Sequence, residues 1–127
     1  MTYADIETLQ EEVDQSRILR RTVDYAVGDE SIQATSDAYR HAWPRKLNGM
    51  LILTLNNWPE MRPDSKVWMS ATEANALGDA TAGGFMGDAV FTVHNIVPQN
   101  GKIQFRLNIA FGQPLPLIVD FWVIHFI

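Results

Sequence analysis

Three histidines, His41, His94 and His125, are the residue types in this chain best suited to hold a transition metal or move a proton near neutrality. None has a partner at ligand spacing. His94 stands beside Asn95 in a strand-like stretch, and His125 is two residues from the last residue, Ile127. Strand and interface histidines satisfied by hydrogen bonds are far commoner than ligands, so no metal site is expected. With no cysteine in the chain, thiolate ligands, cysteine nucleophiles and disulfides are excluded together. The run GDATAGGFMGD sets Asp79 and Asp88 among Gly78, Gly83, Gly84 and Gly87, which invites a calcium or phosphate reading. It matches neither an EF-hand nor a P-loop, since the Lys-Ser/Thr pair that meets phosphate and Mg²⁺ is missing. A flexible loop that packs Phe85 and Met86 on a neighbour fits better. No catalytic residue and no cofactor are expected, and turnover is not.

Recognition leaves more candidates. Tryptophan can stack on a sugar ring or anchor an interface, and the chain has four. Trp68, between Val67 and Met69, and Trp122, in the apolar last segment, read as core. Trp43 and Trp58, each followed by a proline in a turn-like segment, read as exposed, and a ligand or partner contact is expected there. Arg45 and Lys46 join them from the cluster Arg40, His41, Arg45 and Lys46, the one concentration of positive charge outside the N-terminal segment. That cluster could face an acidic partner surface, with a solvated loop as the default.

The elements that position these residues are strands. In KIQFRLNIAF the apolar Ile103, Phe105, Leu107, Ile109 and Phe111 alternate with Gln104, Arg106, Asn108 and Ala110, the period of a strand buried on one face. Pro114 and Pro116 then stop the ladder, and LIVDFWVIHFI runs apolar on both faces to the end. Such a segment exposes more apolar surface than one core layer covers, so Phe121, Trp122 and Phe126 are expected at a subunit interface. Further strands are expected at Ser31–Arg40, Lys46–Leu55, Lys66–Ala71 and Asp88–Ile96, and PQNG marks a hairpin because Asn-Gly accepts the positive φ of a tight turn. Residues 71–82 read equally as a short helix or a loop.

The N-terminal segment reads differently. Ile6, Leu9, Val13, Val23 and Val27 fall on one heptad track through residues 4–27, interrupted at Ser16 and Arg20, with Gly28 as the stop. The fold expected is therefore mainly β: an N-terminal α-helix, 1–28, followed by a small antiparallel β-sandwich, jelly-roll-like, over 29–127. The helix either lies on its own domain or gathers subunits as a coiled coil through Ile6, Leu9, Val13 and Val23.

Composition bounds the rest. The 127 residues are 46% hydrophobic and 20% charged, enough for one domain with a real core. A net charge of −5 argues against general affinity for nucleic acid, which needs a positive field. No apolar run is long enough to span a bilayer, and the acidic start MTYADIETLQEEVDQ is unlike a signal peptide, so synthesis in the cytoplasm and no membrane partner are expected.

An oligomerising helix carrying Ile6, Leu9 and Val13, followed by a sandwich closing in AVFTVHNIVPQNGKIQFRLNIAFGQPLPLIVDFWVI, resembles the small trimeric virion proteins of bacteriophages, of the capsid decoration (cement) or fibre-head type. The resemblance is one of layout and covers the whole chain. It implies a structural protein, a homotrimer bound to other virion proteins and located in the virion. A carbohydrate-binding, lectin-like sandwich is the alternative from another class, though no sugar-binding residue can be placed. A small β-fold enzyme ranks last.

Overall fold

A computed structural model describes residues 6–127, and the chain there is mainly β. Its strands are β1 (Glu7–Glu12), β2 (Leu19–Val27), β3 (Glu30–Ala42), β4 (Gly49–Asn56), β5 (Lys66–Ala74), β6 (Gly84–Phe85), β7 (Val90–Gln99), β8 (Lys102–Ala110) and β9 (Leu117–Phe126). They make a four-stranded sheet in the order β1-β4-β8-β7 and a five-stranded sheet in the order β2-β3-β9-β5-β6. All pairings are antiparallel except β1 with β4, which is parallel.

One core lies between the sheets. Leu51, Leu53 and Leu55 of β4 with Ile103, Phe105, Leu107 and Ile109 of β8 face Tyr39 of β3 and Val119, Phe121 and Val123 of β9. Alternation puts these residues inside because successive side chains of a strand leave on opposite faces. Phe111 departs from the expected pattern and is exposed. Its amide bonds back to the Ile109 carbonyl at 3.0 Å, and this tight turn ends the pleat before Phe111. The Asn100-Gly101 hairpin forms as expected, with Gly101 at φ 74°.

The N-terminal expectation is corrected. Among the described residues there is no α-helix, only a 3-10 turn at Gln15–Arg17, so no coiled-coil seam joins Ile6, Leu9, Val13 and Val23. Residues 1–5, where the expected segment begins, lie outside the described residues. β1 enters the four-stranded sheet and β2 the five-stranded one, so the segment belongs to both layers. The cause is a disguised alternation. Glu7, Leu9 and Glu11 of β1 share the half-buried side, and two of the three are charged. Glu11 binds His41 and Glu7 binds Arg45, so carboxylates occupy positions where a strand usually shows apolar residues. Leu9 and Val13, like Val23 and Val27, are four residues apart, a spacing shared by one helix face and one strand face. Of residues 71–82, left open between helix and loop, 71–74 belong to β5 and 75–82 hold no helix. No helix of the described residues is long and apolar enough to cross a membrane.

Candidate functional site

The alternation that fills the core also builds the outer face of the five-stranded sheet. Trp68 lies between the inward Val67 and Met69, and Trp122 between the inward Phe121 and Val123, so both indoles point out. Register aligns Leu19, Ala38, Trp122 and Trp68 in one row across β2, β3, β9 and β5. The two indoles are 51% and 47% exposed, with ring centroids 4.8 Å apart and planes inclined by 31°. The Trp122 Nε1–H donates to Ser36 Oγ at 2.7 Å, which fixes its ring. Beyond the row on one side stands Arg40, whose Nε donates to Asp120 at 2.6 Å and whose Nη1 donates to the Ala82 carbonyl. On the other side come Arg21, Ser36, Ile124 and Lys66, then Val23, Ala34 and Phe126 in register. The result is an apolar row with an aromatic centre, flanked by polar and charged side chains and continued along β9 through Ile124 to Phe126.

This reverses the expectation for the tryptophans. Trp43 is 1% and Trp58 0% exposed, while the pair expected in the core is outside. The turn segments after β3 and β4 fold over the mouth of the sandwich and drive their indoles in. Trp43 meets His41 at 4.5 Å and Phe105 at 6.1 Å between centroids, and Trp58 meets Tyr39 at 5.6 Å and Phe121 at 5.7 Å. Asn57 adopts φ 66° just before Trp58, a conformation asparagine tolerates better than most residues, and this directs the indole inward. Neither ring is available to a ligand. Arg45 is taken by Glu7, and Lys46 remains exposed. Of the residues expected at an interface, Val13 and Phe121 belong to the core, and Ile6 and Leu9 are half-buried. Val23, Trp122 and Phe126 are brought together on the outer face. The signal for this was period-2 alternation read through each tryptophan's neighbours rather than its own hydrophobicity.

Two polar chains hold the layers. Asp37, fully buried on β3, accepts from Arg20 Nε at 2.8 Å and Nη2 at 3.1 Å, from Trp58 Nε1 at 2.9 Å and from His125 Nε2 at 2.9 Å. Because the carboxylate only accepts, His125 donates to it from Nε2, and its Nδ1 lies 2.7 Å from the Ser65 hydroxyl. Burial pushes the Asp37 carboxyl up, but the hydrogen bonds from His125, Arg20 and Trp58 outweigh it and hold it well below the usual carboxylate range. Ser65, His125 and Asp37 thus share the hydrogen-bond order of a serine nucleophile, its base and an orienting acid. With Ser65 5% and His125 4% exposed, and Ser65 Oγ accepting from the Arg62 amide, no substrate carbonyl reaches the hydroxyl. The arrangement is a tie rather than a catalytic site. In the second chain the Asp14 amide donates to Tyr39, Tyr39 to His41 Nδ1 at 2.7 Å, and His41 Nε2 to Glu11 at 2.7 Å. Burial lowers the His41 pKa, against the opposing pull of Glu11.

Beside this second chain lies an open cleft of about 370 Å³ lined by Asp14, Arg17, Arg40, His41 and Asp79. Its charges are of both signs, and Asp79 is engaged by the hydroxyl and amide of Thr81 at 2.6 Å and 2.8 Å. Among the described residues no group of three or more His, Cys, Asp or Glu is placed to hold a metal. No family model matches the chain, and no curated protein or solved structure matches it.

Proposed function

We propose that the chain is a structural and assembly protein: copies associate through the five-stranded sheet, and the joined unit docks by the outer face of that sheet on a larger particle such as a virion. The observation that carries this reading is the unbroken apolar row of Leu19, Ala38, Trp122 and Trp68, extended by Ile124 and Phe126. Contiguous exposed apolar surface on a small domain marks an interaction site. Two tryptophans at its centre are the residues that dominate interface energetics. The buried Ser65–His125–Asp37 tie supplies no accessible nucleophile, which is why association ranks above turnover.

Light scattering on the full chain tests it. A mass above one chain at micromolar concentration is expected, and a monodisperse monomer sinks the self-association half of the reading. One observation favours a second reading, glycan binding: the Trp68–Trp122 pair is bordered by Ser36, Ser70, Arg40 and Asp120, which can hydrogen-bond sugar hydroxyls. Glycan-array binding that disappears in Trp68→Ala, with oligomer mass unchanged, would move the assignment there.

A further inference from the structure

The two sheets end in four edge strands, and three of these are blunted. β1 is six residues long and carries Glu7, Glu11 and Glu12. β7 is irregular between Val93 and Ile96 and contains Pro98, and β6 has two residues, which cover Glu73 and Ala74 of β5, while β5 also lies against β7 of the other sheet. Short length, charge, bulges and proline are the devices that stop one sheet from pairing with another. β2 lacks proline and bulge: its nine residues, LRRTVDYAV, pair with β3 without a register shift, and seven of them are exposed. Among the described residues no strand lies beyond it.

The same hairpin also outreaches its sheet. β9 pairs with β3 from Ala34 to Ala42, and the Ile127 amide adds one bond to the Gln33 carbonyl, so the ladder from Asp24–Gln33 out to Val27–Glu30 is a two-stranded arm. A two-stranded ribbon alone is marginal in water and needs a third strand or a packed face.

We propose that a second copy of this chain supplies that strand, its β2 pairing antiparallel with this β2 about a two-fold axis at Val23. The inference rests on the self-association reading above and adds its number and mode. A two-fold interface must be self-complementary, and this one is. Centred on Val23, Leu19 faces Val27, Arg20 faces Ala26, Arg21 faces Tyr25, Thr22 faces Asp24, and Val23 faces itself. No like charges stand opposite each other, and the Arg21 guanidinium meets the Tyr25 ring. Arg20, held by Asp37 and Glu60, fixes the strand to its own sandwich, so the edge is a firm template. Pairing turns the two five-stranded sheets into one continuous sheet, with both Trp68–Trp122 platforms on the same side.

The axis gives the test. Any charge placed at Val23 meets its own copy, so Val23→Lys and Val23→Asp should each weaken dimerisation at least about tenfold. An equimolar mixture of the two variants should restore it. Light scattering on the wild-type chain is expected to give a dimer, each variant alone a monomer, and the mixture a dimer again, with unchanged circular dichroism. A dimer that survives both substitutions, a mixture that stays monomeric, or a wild-type trimer overturns the edge pairing and leaves the assembly reading standing. A wild-type monomer removes both. If a variant unfolds, hydrogen exchange on the wild type decides: amide protection in Leu19–Val27 must rise with protein concentration, and protection independent of concentration refutes the pairing.

Discussion

The Nε2 of His125 lies 2.9 Å from Oδ2 of Asp37, across a strand pair that joins residues 88 positions apart in the chain. The same carboxylate takes the Trp58 indole and the Arg20 guanidinium, so one buried side chain on β3 ties the edge strand β2, the turn after β4 and the last strand β9. Its charge is tolerable inside because every approach to it is a donor.

Removal of that charge is expected to be expensive. Asp37→Ala leaves the Trp58 and His125 donors buried without an acceptor, and a loss of about 3–5 kcal/mol is expected, as when one partner of a buried pair is deleted. Arg20 is half-exposed and keeps Glu60, so it contributes the smaller part. Asp120→Ala, at a solvent-exposed pair with Arg40, should cost under about 1 kcal/mol. Urea unfolding of both variants compares them, and equal losses would show that Asp37 is not the hub.

Acid should weaken the fold in two stages. For His41 the folded pKa lies below the ordinary 6.5 because burial disfavours the cation, so the unfolded chain binds the proton more readily. Its contribution is complete above about pH 6.5 and declines as pH falls below it. For Asp37 the folded pKa lies below the unfolded 3.8, so its contribution is complete above that value and declines as the carboxylate is protonated in stronger acid. The expected outcome is a falling urea midpoint between pH 7.5 and 5.5, with a shallower slope in His41→Gln. A midpoint that rises over this interval, or an identical slope in the variant, contradicts the assignment.

Particular residues show why some of this was legible in the sequence and some was not. Ile103, Phe105, Leu107 and Ile109 announced β8 because every alternate position is apolar and nothing polar replaces one. β1 hid because its inward positions include Glu7 and Glu11, whose partners Arg45 and His41 come from the far end of β3 and the turn after it. No local pattern reveals a partner 30 or more residues away. β2 hid for another reason: Leu19, Val23, Tyr25 and Val27 do alternate, but Arg21 interrupts the row and the Val23–Val27 spacing also fits a helix. The Asp37 hub left no trace, since aspartate in a strand signals nothing until three donors converge on it. Hydrophobicity placed Trp68 and Trp122 inside, whereas strand parity, fixed by their inward neighbours, places them outside.

That parity gives the sharpest comparison. Trp58 fills space between Tyr39 and Phe121 and donates to Asp37, so Trp58→Ala removes a large packed ring and a buried hydrogen bond together. A loss of about 3–5 kcal/mol is expected, the range for a buried aromatic truncated to alanine. Trp68→Ala removes a ring that touches Trp122 and otherwise faces solvent, so the isolated chain should lose under about 1 kcal/mol. The same substitution should nevertheless alter whatever docks on the outer face, because central tryptophans carry a disproportionate share of interface energy. Denaturation measured at protein concentrations low enough to hold the chain as a monomer separates the two effects. A large loss at Trp68 under those conditions, or a small one at Trp58, would mean that the indoles occupy each other's roles and that the outer face is not where the strands put it.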